Sequence, residues 1–138
     1  MDMETFRQFM KRDKFAEVSG IELVEVSPGR SVTRMAIRPE HLNGVGLVHG
    51  GAIFTLADYA FAAACNSYGT ISVAINVSIS FMNAARAGTL TAVCEEVVKN
   101  PKLGTYRAIV TDQAGTIIAS FEGLAYRKKD ELPIKVSC

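Results

Sequence analysis

The chain predicts an α+β fold in which one apolar helix is buried by a curved antiparallel sheet, with a short helix ahead of both. Three observations carry this. From Ala52 to Cys65 every residue except Thr55 and Asp58 is hydrophobic, which describes a helix covered on nearly all sides rather than one with a wet face. Two short β-branched runs precede it, and three strand-like runs follow. The resulting order, β-β-α-β-β-β, leaves one economical packing, in which the sheet curls around the helix.

Taken in order, residues 3–16 place Phe6, Phe9, Met10 and Phe15 among Arg7, Lys11, Arg12 and Lys14, the spacing of a short amphipathic helix that docks its aromatic side. Ile21 to Val26 and Ser31 to Ile37 form a hairpin around Ser27-Pro28-Gly29-Arg30, and Pro39 closes its second strand. After the central helix Gly69 supplies a stop. Val73, Ile75, Val77, Ile79 and Phe81 then alternate with small or polar residues, predicting one apolar face of a long strand laid on the helix. Strands are expected over Thr89–Val98, Thr105–Asp112 and Thr116–Arg127, the last two joined through Gln113-Ala114-Gly115, with a loosely held tail from Lys128.

Composition narrows the function classes. The 138 residues suit a single domain, spanning 1–138, that buries about two-thirds of its unfolded surface. With 49% hydrophobic and 21% charged residues, the chain carries more apolar surface than a small monomer hides, so self-association is expected. A net charge of +1 argues against nucleic acid as a partner, while local basic groups could still hold a phosphorylated small molecule. Cys65, Cys94 and Cys138 form no short-spaced pair, and the charged start has no secretory core; both point to reduced thiols and a cytoplasmic location. The central run, about 14 residues with Asp58 inside it, falls short of the roughly 20 needed to span a membrane.

Asp58 is the residue that needs explaining. A carboxylate on a buried helix is costly unless it is paired, here with Arg34, Arg38 or Arg107, or faces a cleft as the raw material of acid–base chemistry. Gly50 and Gly51 let a loop turn tightly into the helix, and backbone N–H groups at a helix start are also unpaired donors at the positive end of its dipole. His49 reads as a loop anchor beside this start. With His41 the only other histidine, no metal-binding spacing is present and no metal is expected. Asn43 sits in a loop where turn propensity accounts for it. Cys65, roughly 24 Å along the helix axis from His49, reads as core rather than as a Cys-His nucleophile. The segment Gly44 to Gly50 lacks the spacing of a nucleotide-binding loop.

The asparagine in HLNGVGLVHGG, the His-Gly-Gly that opens the helix, the aspartate in FTLADYAFAAACNS and the long INVSISFM strand together resemble the hotdog-fold acyl-CoA thioesterases of the phenylacetate-pathway (PaaI-like) group, over roughly residues 20–127. The resemblance implies a helix wrapped by the sheet, homodimers that pair sheets edge to edge, and homotetramers built from those dimers. It implies an active site at the dimer interface, where Asp58 of one chain faces Asn43 and the helix start of the other. Asp58 would be a general base or a nucleophile, Gly50 the oxyanion donor, and Asn43 the group orienting carbonyl or water. His49 and Gly51 would contact the substrate, and Asn83, Arg86, Lys99 and Lys102 would meet the coenzyme A phosphates. Asn83-Ala84-Ala85-Arg86 departs from the group's pattern, which often has a proline there.

The activity so implied is hydrolysis of an acyl- or aryl-CoA thioester to free acid and CoA, with acyl-CoA as substrate and no metal or redox cofactor. Phe54, Tyr59, Phe61 and Tyr68 would favour an aryl acyl group if they line the pocket rather than the core. The alternatives are a hotdog acyl-thioester dehydratase or hydratase using His49 with Asp58, and a non-catalytic acyl-CoA-binding module.

Overall fold

Ten segments of regular structure follow one another in the computed structural model, which describes residues 2–134; Cys138 lies outside them. The expected single leading helix is two, α1 (Met3–Met10) and α2 (Lys14–Val18). The break has a local cause. Asp2 and Asp13 each cap a separate helix, accepting from Thr5 N–H at 2.7 Å and Ala16 N–H at 3.0 Å, so Asp13 starts a new helix where the aromatic periodicity suggested a continuation.

β1 (Ile21–Ser27) and β2 (Arg30–Ala36) form the expected hairpin, turned by Pro28 and by Gly29 at φ +75°, the left-handed conformation that position requires. A 3-10 turn at Pro39–His41 leads through a loop into α3 (Gly50–Asn66). Four strands follow: β3 (Thr70–Phe81), β4 (Thr89–Lys99), β5 (Leu103–Thr111) and β6 (Ile117–Glu131). Residues 128–131, expected to be a loose tail, continue β6, because Thr70 of β3 pairs with Glu131.

All six strands join one antiparallel sheet in the order β1-β2-β4-β5-β6-β3, which wraps α3 so that the helix touches every strand. Ala57, Ala60, Ala63 and Ala64 are fully buried, and their small side chains let the sheet close tightly. Phe61 stacks against Tyr106 and Phe121 at 5.5 and 5.6 Å between centroids. Glycine at 123 makes room for it, since a β-carbon there would lie 2.8 Å from the Phe61 ring.

The two sheet edges differ. On β1, Arg7 donates to the carbonyls of Leu23 and Val24 at 2.9 and 2.8 Å, beside a bulge between Leu23 and Glu25, so this edge is capped and bent. β3, the other edge, is long and open. Its single apolar face is not realised: a register break between Ala74 and Asn76 moves Ile75 out of the alternation. Val77 and Ile79 turn inward, whereas Val73 and Ile75 are exposed at 38% and 55%. A bulge resets a period of two, and sequence alternation alone cannot show it.

Candidate active site

The start of α3 is built by its own loop. Asn43 Oδ1 accepts from Val45 N–H and Leu47 N–H at 3.0 and 3.1 Å, folding residues 43–47 back on themselves, and its amide nitrogen has no partner among the described residues. His49 is the N-cap: its Nδ1 accepts from Gly51 N–H at 2.8 Å, and its carbonyl accepts from Ala52 and Ile53. Of the first-turn amides only that of Gly50 lacks an acceptor among the described residues. It sits at the positive end of a 17-residue helix and opens on a groove of about 380 Å³ shared with Asn43, Phe81 and Asn83. The Phe81 ring lies against it, 3.1 Å from where a β-carbon on Gly50 would be. Gly51, whose amide is taken by His49, is left without a donor to offer.

Beyond that first turn, the partly exposed positions of α3 are Phe54, Thr55, Asp58, Ala62 and Asn66, a narrow stripe on an otherwise buried helix. Asp58 has no hydrogen bond or ion pair among the described residues. The arginines that could have paired with it are engaged elsewhere: Arg34 with Glu22 at 2.8 Å, Arg38 with Glu40 at 3.5 Å and Arg107 with Glu122 at 3.3 Å. Burial pushes its pKa above the ordinary carboxylate range, and the negative charge of Asp13 pushes the same way. Asp58 and Gly50 lie eight residues apart, about 12 Å along the axis. The groove at Gly50 does not include Asp58 among its lining residues.

The residues expected to meet phosphate separate into two groups. Asn83 and Arg86 lie at the end of the sheet where α3 begins, and Asn83 spends its amide on Ile117 O at 2.7 Å. Lys99 and Lys102 lie at the opposite end, on the β4–β5 hairpin, where Lys99 Nζ sits 3.3 Å above the Tyr68 ring. Arg127 joins that end 5.7 Å from the same ring, a cation the sequence reading missed because its place beside Tyr68 depends on strand register. The four aromatics proposed for an acyl pocket do not share one: Phe61 is core, Phe54 packs on Phe121, Tyr59 donates to Met10 O, and Tyr68 donates to Glu96. Cys65 is buried and its thiol is pushed up to about 12, as a core cysteine should be. Among the described residues no three His, Cys, Asp or Glu side chains converge on a point, and no helix is long and apolar enough to cross a membrane. A larger cavity of about 600 Å³ lies under α1 and α2, but six of its lining residues are charged, a poor fit for an acyl chain.

A long helix wrapped by a six-stranded antiparallel sheet, with short helices ahead of it, is a hotdog fold, and here the helix carries a free amide at its start and an unpaired carboxylate on its uncovered stripe among the described residues. The chain belongs to the thioesterase superfamily, whose family description matches residues 45–123, and is PaaI-like within it. It is 36% identical to the acyl-coenzyme A thioesterase PaaI of Escherichia coli K12 over 118 residues, 85% of this chain and 84% of that protein. It is 31% identical to human acyl-coenzyme A thioesterase 13 over 121 residues, 84% and 86% of the two chains. The solved structure of the E. coli PaaI protein, from the phenylacetic acid degradation operon, superposes with a TM-score of 0.89 over 94% of each chain at 32% identity.

Proposed function

We propose that the protein hydrolyses acyl-CoA thioesters to a free acid and CoA, with each active site shared between two chains. The observation that carries this reading is that the free Gly50 amide and the unpaired Asp58, about 12 Å apart in helix rise, do not line the same groove of one chain. Two half-sites of opposite chains supply what one chain lacks. The thioester carbonyl accepts from Gly50 N–H and from the free Asn43 amide. Asp58 of the other chain takes a proton from water as its oxygen bonds the carbonyl carbon, and the tetrahedral oxyanion rests on Gly50. Collapse breaks the C–S bond, and the thiolate leaves and is protonated. The alternative role, attack by Asp58 itself to give an anhydride that water then opens, uses the same groups. Neither route calls for a metal or redox cofactor.

The open β3 edge supports the pairing, since an antiparallel partner strand would satisfy its backbone while the capped β1 edge has no such need. On the outer face of the sheet Arg30, Glu95, Arg107 and Glu122 are register partners on successive strands, an alternating charge row that a two-fold copy could match; this supports a homotetramer. Lys99, Lys102 and Arg127, at the far end of one chain, would approach Asn83 and Arg86 of an antiparallel neighbour and offer charge to the coenzyme A phosphates. Cys65 and Cys94, buried and unbridged, accord with a reducing cytoplasm.

The test is a thiol-release assay over short, medium, long and aryl CoA esters, with Asp58→Asn and Asp58→Ala alongside. Release by the wild type and a loss of about 100-fold or more in the folded variants is expected. Turnover within a few-fold of wild type in either variant would remove Asp58 from the chemistry. New double-bond absorbance from a 3-hydroxyacyl thioester without thiol would move the reaction to dehydration, and binding without either product would leave an acyl-CoA-binding module.

A further inference from the structure

β2 faces α3 with an unexpected set of side chains. Its inward positions are Ser31, Thr33 and Met35, each fully buried, so two of three core-facing places hold hydroxyls where Met35 shows that an apolar group fits. Ser31 Oγ donates to Ala60 O at 2.5 Å and Thr33 Oγ1 to Leu56 O at 3.0 Å. These carbonyls are not orphans, since carbonyls in a helix interior accept from the amide four residues on. The hydroxyls thus satisfy themselves and tie the strand to the helix backbone at two points one turn apart.

What the ties add is rotational. The face of α3 that meets the sheet is rich in alanine, so its roll rests on a few larger anchors, Phe61 between Tyr106 and Phe121 and Tyr59 on Met10 O, which the two hydroxyl ties join. At about 100° per residue, Asp58 projects from the side of α3 opposite the midpoint of Leu56 and Ala60. We infer that Ser31 and Thr33 are positioning residues: their hydroxyls clamp the roll of α3 about its own axis and so aim Asp58 along the uncovered stripe. The inference rests on the reading of Asp58 as the group that acts on the thioester. Around it the charged and titratable neighbours are Asp13 at the start of α2 and Cys65 on α3 itself.

The experiment compares Thr33→Val, Ser31→Ala and their combination, which remove the donors with little change of volume, with Thr33→Ser, which keeps one. The Asp58 carboxyl is followed by carbon NMR titration of aspartate-labelled protein, its resonance assigned by its loss in Asp58→Asn. In the donor-free variants the midpoint is expected to move toward the ordinary carboxylate value as the side chain swings out, while Thr33→Ser titrates with the wild type. On a hydrolysed CoA ester, kcat is expected to fall about tenfold with KM nearly unchanged, because a misaimed base weakens the transition state and not ground-state binding. A folded double variant whose midpoint coincides with the wild type's overturns the inference. If the double variant does not fold, Thr33→Val alone is decisive in the same way, and failure of every donor-free variant to fold also overturns it, by making the hydroxyls core-forming. A wild type that releases no thiol refutes the thioesterase reading, yet the titration still decides the roll.

Discussion

Replacing Gly50 with proline removes one hydrogen-bond donor and leaves the helix standing. Proline is well suited to the first position of a helix, where its missing N–H would have had no intrahelical partner. The preceding residue must be extended, and His49 already is, at φ −62° and ψ 137°. The nearest atoms to a β-carbon at this position belong to the edge of the Phe81 ring, an exposed side chain free to give by a few tenths of an ångström. Stability should therefore hold or rise by about 0.4–1 kcal/mol through the stiffer unfolded chain. Catalysis should not hold. Since the other first-turn amides are taken by His49, no neighbour replaces the lost donor, and kcat should drop about 100–1000-fold, roughly 3 kcal/mol of transition-state stabilisation, with a small change in KM. Gly50→Ala, which adds the β-carbon but keeps the amide, is the steric control and should stay within about tenfold of wild type. Thiol-release kinetics and a urea melt on the same samples read both quantities. A stable Gly50→Pro enzyme that turns over like Gly50→Ala would refute the oxyanion role.

Asp58 makes a second, opposite-signed prediction. Its pKa is raised in the folded state, so its proton binds the folded chain more tightly than the unfolded one; the stabilising contribution is full below the unfolded pKa near 3.9 and is lost as pH rises through the raised value. Asp58→Asn should therefore melt above the wild type at about pH 7, the gap closing as pH falls below the ordinary carboxylate range, while wild-type kcat declines with acid through a midpoint above that range. Parallel calorimetry and pH–rate profiles check both halves. Gly123→Ala tests the core: the new β-carbon would press on Phe61, itself wedged between Tyr106 and Phe121, and should cost about 1–3 kcal/mol by urea denaturation, with partial recovery on Phe61→Leu.

Much of this architecture is legible in the residues. The apolar run from Ala52 to Cys65 is α3, the Pro28-Gly29 turn is the first hairpin, and a carboxylate on a greasy helix marks the uncovered stripe, because each is a local signal with one cheap physical solution. What escaped depends on register or on partners far along the chain. Asp13 competes with an aromatic periodicity by capping, which splits the leading helix. The bulge at Ile75 reverses the faces of β3, and only the pairing with β6 reveals it. Residues 128–131 read as tail by charge and become strand by pairing with β3. Ser31 and Thr33 pass as ordinary strand polarity until the strand is known to face the helix with them. The basic residues Arg86 and Lys99 are close in sequence and lie at opposite ends of the sheet, since an entire strand runs between them.

The position of β3 also shapes how the chain comes to be folded. Among the described residues its one strand partner is β6, whose last paired residue leaves the ribosome roughly fifty residues after β3 is complete. At about 5–20 residues per second, a nascent β3 waits several seconds with neither edge hydrogen-bonded. The sheet can close around α3 only after β6 has emerged, and the segment of longest delay is the one with exposed Val73 and Ile75. Truncation between β3 and β6 therefore leaves a twelve-residue strand with two sticky edges, and the expected fate of such a fragment is aggregation rather than a smaller folded core.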